Sequence, residues 1–411
     1  MHNCAFGGSE SHHLAAGPGG SCAKQLLVFS FARRQRLACL FVEAGLLCCA
    51  LLPGVCALPA HGGPLIAAWD PQLRPTTPLH DFLGQGERAL RLRGGGGLPW
   101  AKRRKATTKM EEEKSEKMNY ARSGALLCAA LTSTIALEMM SDWLYVDVFF
   151  GIQAYQLLIS LGYTLFFCAN LIPGRLDAKL GRPKREDLRF FTPAGFTFAI
   201  WAPIFLGELL MAISALAPDS LVVPGSSWLQ DMAPSYAAAS IYQALWCLAF
   251  REWALKYQWV PATLLTLAAV ALYRAHFHIA TSYSAGAGTI WSLVACRIPV
   301  ALHFGWITAA AALSWNGQIA AMGTPVEVRL TAALATCFVA ALFLGFTAIS
   351  RREGWPALTA SWALYGVSKG HEVLRGAVDN LAIDTLNSVA TLCSGVCAGM
   401  ASWAWLSFLS A

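Results

Sequence analysis

Between Phe149 and Leu409 the chain keeps returning to apolar runs, most of them near the ~20 residues a helix needs to cross a bilayer. No feature constrains the fold more. A spanning segment must satisfy its own backbone N–H and C=O groups, because hydrocarbon offers no partners. Only 13% of the residues are charged and 56% are hydrophobic, against about 25% charged in an ordinary soluble domain. The fold class is therefore all-α, a polytopic transmembrane helical bundle of about eight spans. The runs predict helices near Phe149–Ile172, Phe196–Leu216, Ser235–Trp253, Val260–Arg274, Trp291–Gln318, Leu330–Ile349, Pro356–Gly366 and Leu386–Leu409. Pro356–Gly366 is the shortest. Gly124–Met140 adds another span if it crosses, and otherwise lies in the interface.

The net charge of +7 sits largely ahead of the spans and in one loop, so it reads as targeting and topology. No basic patch with interleaved aromatics appears, which argues against a nucleic-acid partner. The loop Gly174–Phe190 carries Arg175, Lys179, Arg182, Lys184, Arg185 and Arg189. The positive-inside rule turns it to the cytosol or a plastid stroma. The next loop carries Asp219 and Asp231, and the one after it Arg251 and Lys256, which continues the alternation. Arg351 and Arg352 fall on the side the rule does not favour if every later span crosses.

The expected organisation has three parts: a signal-peptide-like leader over 1–60, a basic transit-like segment over 61–118, and the helical membrane domain over 119–411. Lys24, Arg33, Arg34 and Arg36 precede an apolar stretch from Leu37 to Ala60, which is a basic n-region followed by an h-region. The stretch after it is rich in Arg, Gly and Pro, poor in acids and expected to be disordered. Signal peptide followed by transit-like segment looks like the bipartite plastid leader of an alga. The endomembrane system is the alternative location.

A turn signal leads into the second of these spans: Thr192-Pro193-Ala194-Gly195, with Thr192 as a candidate cap. Trp201 and Glu208 follow inside it. Trp228, Trp253, Trp259, Trp291 and Trp355 lie at span ends and suit an interface belt. Trp201, Trp246, Trp306 and Trp315 lie deeper, where an indole N–H wants a partner, and are candidates for a lined pocket. Arg297 lies inside a span two residues before Pro299, with His303 following on the same face. Glu208 is the expected acidic partner for Arg297. His276 and His278 sit near a span end and read as interfacial. Cys393 and Cys397 share one helix face and read as packing residues. No convergent metal-ligand set, phosphate loop or nucleophile elbow appears, so the sequence offers no strong argument for catalysis or for a metal.

Three segments together resemble the tryptophan-rich sensory protein family, also called TspO/MBR or translocator-protein-like, and specifically its larger branch in bacteria and algae. They are Thr192–Trp201, Ser240-Ile241-Tyr242-Gln243-Ala244-Leu245-Trp246, and Arg297–Ala310 with its Gly305-Trp306-Ile307. The likeness covers about residues 150–409. It implies a family-like helical core plus extra helices, with Trp201, Gln243, Trp246, Arg297, His303 and Trp306 as ligand-binding candidates. The implied function is an intramembrane aromatic pocket binding or sensing a flat hydrophobic ligand, such as a tetrapyrrole, carotenoid or sterol. A bound tetrapyrrole or carotenoid is the one cofactor it suggests. Membrane lipids and a hydrophobic small molecule are the expected partners, and a homodimer is one open arrangement. A transporter of a small hydrophobic or anionic metabolite, a pigment-complex subunit and a membrane enzyme on a lipid or pigment are the alternatives.

Overall fold

Long apolar runs dictate long helices, and the computed structural model consists of little else. It describes residues 99–140, 143–144, 146–149, 152–176, 189–216, 227–284, 289–371 and 378–409. The leader expected over 1–60 lies outside the described residues, as does the transit-like segment as far as residue 98.

Helix α1 runs Pro99–Met139 and α2 runs Ala154–Leu171, with a two-stranded antiparallel hairpin (β1 Asp147–Phe149, β2 Ile152–Gln153) between them. A 3-10 turn, Gly195–Ile200, feeds α3, Trp201–Leu216. Helix α4 spans Ser227–Ala249 and α5 spans Trp259–Ser284. One helical turn at Ile290–Ser292 and a π-helical turn at Leu293–Arg297 lead into α6, Ile298–Ala321. Then come α7 (Val326–Arg351), α8 (Trp355–Lys369) and α9 (Asn380–Leu409). Among the described residues seven helices are long and apolar enough to cross a membrane. The chain is an integral membrane protein.

Three features depart from the sequence expectation. Helix α1 begins at Pro99, well inside the stretch expected to be disordered. Its acidic and basic residues alternate at helical spacing, with Lys117 Nζ 2.8 Å from Glu113 Oε1, and such pairs support a helix without a core. Asp231, expected in a loop, lies inside α4. Trp228, expected at the interface, is buried.

Helix α4 packs on α2 and α5, α5 packs on α6, and α8 sits between α6 and α9. Tight crossings carry glycine. A Cβ on Gly207 would stand 2.6 Å from Pro299 Cβ, and one on Gly305 would stand 2.7 Å from Thr359 Cβ. Contact ions on α1 set its direction: Glu116 faces Lys256 before α5, and Glu138 faces Arg274 near the far end of α5. The two helices therefore run parallel.

Pro299 explains the π turn. It has no N–H for the carbonyl one turn earlier, and a wider turn absorbs the lost bond. The result seats Arg297 at the junction, buried among neighbouring helices. At the far end of α7, Arg352 closes the helix in the left-handed region, with φ 51° and ψ 43°. Glu353 N–H then donates to Ala348 O at 2.9 Å, the bond pattern that ends helices with glycine in that place. The turn directs Glu353 inward, where it is 1% exposed.

Candidate functional site

Three tryptophans on three different helices line one cavity of about 880 Å³. Trp201 opens α3, Trp246 lies near the end of α4, and Trp306 sits in the middle of α6. The cavity lies at the bundle end where α2 finishes and the 3-10 turn begins, bounded also by Phe191–Gly195, by Val367 and Lys369 of α8 and by Gly370 just after it. Its aromatic walls are braced from behind. Trp201 stacks on Phe205 at 5.2 Å and meets Trp306 edge-on at 6.3 Å. Phe198 meets Trp306 edge-on at 5.4 Å. Trp246 stacks on Phe250 at 5.2 Å, and the Arg175 guanidinium lies 5.4 Å from the Trp246 ring.

The Thr-Pro-Ala-Gly segment is a wall of this cavity, held to α8. Ala194 N–H donates to Gly366 O at 2.9 Å, and Trp362 Nε1–H donates to Thr197 O at 2.9 Å. His371 reaches Phe190 O with one ring nitrogen and Asn387 Oδ1 with the other. A Cβ on Gly370 would run into Thr192 O, so only glycine allows this approach. Thr192 does not cap the helix. Its hydroxyl donates to Arg189 O at 3.0 Å, and Ala194 occupies the cap position.

Gln243 and His303 lie outside the cavity lining, in a buried hub behind Trp201. His303 Nδ1 is 2.6 Å from Glu208 Oε1, and His303 Nε2 is 2.8 Å from Gln243 Oε1. Tyr236 O–H donates to Glu208 Oε2 at 2.9 Å. Gln243 donates its amide to Ala239 O, so its Oε1 accepts and His303 Nε2 carries a proton. A second proton is then held between His303 and Glu208. The ring of His303 stacks on Phe166 at 5.2 Å and meets Trp201 edge-on at 5.6 Å. The hub thus fixes the floor under one cavity wall.

Arg297 also lies outside the lining, and Glu353 answers it in place of the expected Glu208. Arg297 Nε stands 3.0 Å from Glu353 Oε1, close but not aligned as a hydrogen bond. His276 Nε2 meets Glu353 Oε2 at 2.8 Å, and Arg351 Nη1 meets His276 Nδ1 at 2.6 Å. Arginine only donates, so His276 Nδ1 accepts, Nε2–H donates to Glu353, and the imidazole is neutral. Burial by itself would raise the Glu353 carboxyl, but the N–H it accepts from His276 and the charge of Arg297 outweigh it and hold the group below its usual range. His276 is fully buried, not interfacial as expected, because the turn after α7 brings this carboxylate to it. Arg351, on the side that topology disfavours, folds over the Tyr273 ring at 4.1 Å. Its role in the cluster explains why it breaks the charge bias.

Trp315, expected beside the pocket tryptophans, instead donates to Thr266 Oγ1 at 3.1 Å between α5 and α6, outside the lining. Glu353, Tyr236 and Phe166 carry no motif signal. Glu353 sits in a short turn far from Arg297 in sequence, and only the packing of α7 and α8 on α6 reveals its part.

Fold and site define a polytopic α-helical membrane protein with an aromatic cavity at one end of its bundle. The family follows from comparison. A family model described as TSPO-like protein matches residues 159–403, which is more than half of the 411-residue chain, and the chain belongs to that family. No curated protein and no solved structure matches it.

Proposed function

We propose that this protein binds a flat hydrophobic ligand between Trp201, Trp246 and Trp306, as a binding or sensing protein. The observation that carries the reading is the cavity: about 880 Å³, walled by those three indoles together with Phe191, Phe198 and Phe250. Small-molecule sites are typically ~300–1,000 Å³ clefts with apolar, aromatic walls. Indole faces offer a planar ligand large stacking area at little entropic cost. A tetrapyrrole, a carotenoid or a sterol has that shape.

The test is a titration of the detergent-purified protein with protoporphyrin, read by the porphyrin's own absorption and fluorescence. The double variant Trp201→Ala, Trp306→Ala is expected to bind at least about tenfold more weakly, from two lost stacking faces and their buried area. Unchanged affinity in that variant would remove the site assignment.

The leader pattern supports residence in a plastid membrane of an alga. A fluorescent protein fused behind residues 1–118 is expected to enter the plastid of an algal host. Retention in the endoplasmic reticulum would favour the endomembrane alternative.

A further inference from the structure

Behind Trp201, Tyr236, Glu208, His303 and Gln243 share hydrogen bonds in a space closed to water, each between 0% and 1% exposed. Bracing Trp201 asks for packing, not for a phenol set on an ionisable acceptor. Yet Tyr236 O–H donates to Glu208 Oε2 at 2.9 Å, and the other oxygen, Oε1, stands 2.6 Å from His303 Nδ1. Tyr236 comes from α4, Glu208 from α3 and His303 from α6, so separate helices converge to build this chain. It reaches the cavity through contiguous rings. His303 meets Trp201 edge-on at 5.6 Å and stacks on Phe166 at 5.2 Å. Phe166 stacks on Phe205 at 5.3 Å, and Phe205 on Trp201 at 5.2 Å. Trp201 itself lines the cavity.

We propose that Tyr236 is a one-electron donor to Trp201, with Glu208 as the base that takes its proton. The oxidant is a one-electron-oxidised aromatic guest of the cavity, a radical cation against Trp201. This rests on the binding reading above and adds an activity to it. The guest takes one electron from Trp201 and returns to its neutral form. The Trp201 radical cation takes one electron from Tyr236. The Tyr236 O–H bond breaks, its proton forms an O–H bond on Glu208 Oε2, and a neutral phenoxyl radical remains. The charge the guest brought ends on the His303–Glu208 pair, which then holds two protons. A phenol yields an electron readily only when its proton can leave with it, and a base within hydrogen-bond reach allows that. Burial keeps the phenoxyl from other radicals and from soluble reductants.

The full chain in phosphatidylcholine nanodiscs, with no guest present, is photo-ionised at its tryptophans by an ultraviolet laser pulse. Radicals are followed by transient absorption and by freeze-quench electron paramagnetic resonance. The parent is expected to convert tryptophanyl signal into a long-lived tyrosyl signal. Tyr236→Phe removes that signal. Glu208→Gln keeps an acceptor but cannot hold the proton, and slows its formation about a hundredfold, the lower range for a positioned base. Trp201→Phe keeps a ring against Phe205 and cuts the tyrosyl yield severalfold. The thermal midpoint of each conservative variant checks that it folds. A long-lived tyrosyl signal in Tyr236→Phe, parental kinetics in Glu208→Gln or a parental yield in Trp201→Phe overturns the proposal. A second arm excites 9,10-dicyanoanthracene, a flat uncharged photo-oxidant, with visible light in the same discs. A Tyr236 radical formed there supports the proposal with a guest in place. Binding without that radical overturns the proposal while the aromatic site stands. Dicyanoanthracene binding no tighter to the parent than to the Trp201→Ala, Trp306→Ala protein overturns the binding reading, and the laser arm then decides the donor pair by itself.

Discussion

Glu353→Gln is expected to lower folding stability by about 3–5 kcal/mol, read as a large drop in the thermal midpoint of the detergent-purified protein. The substitution keeps the shape of the side chain and removes only its charge. Arg297, 6% exposed, then loses the carboxylate that faces it at 3.0 Å, and arginine cannot shed its proton. Arg351 lies one imidazole further along the same chain of contacts. A buried pair contributes little net stability while intact, because both ions were desolvated to form it, and breaking it leaves that cost uncompensated. Because the Glu353 carboxyl is held below its usual value, its contribution is complete above the ordinary carboxylate pKa of about 4.3 and is lost as pH falls through the lower folded value. The glutamine protein should lack that acid-side loss. A midpoint within a degree or two of the parent would refute the assignment.

Glu208→Leu is the second large effect, again about 3–5 kcal/mol, and here the chemistry of the partner makes a contrast. His303 and Tyr236 both lose their acceptor inside a site that is closed to water. Glu208→Gln should cost only about 1 kcal/mol, because His303, unlike Arg297, can turn neutral and the amide still accepts one hydrogen bond. The leucine protein should also bind planar ligands more weakly, since the His303 ring braces Trp201. Equal losses for leucine and glutamine would show that the carboxylate acts by charge alone and would refute the hub as described.

Much of the bundle can be read in the chain. Apolar runs place α2 to α9 within several residues, since burial in hydrocarbon leaves the backbone one choice. Helix α4 extends earlier than its run, from Ser227, and α5 extends later, to Ser284, because polar ends inside a bundle can be helical where packing covers them. Trp201, Trp246 and Trp306 stand out by depth, and the cavity does gather these three. Trp315 has the same depth on the same helix as Trp306, but it points toward α5.

Sequence by itself determined that this is a membrane bundle, where its helices run, and which residues are too polar or too large to face lipid without reason. It marked Glu208, Arg297 and His303 as costly buried groups that require partners. Tertiary structure alone decided who those partners are. Helical periodicity says which face a residue shares, but not which helix will lie against that face. So Glu208 meets His303, Arg297 meets a glutamate from a short turn, and the Thr-Pro-Ala-Gly segment becomes a cavity wall because α8 returns to hold it.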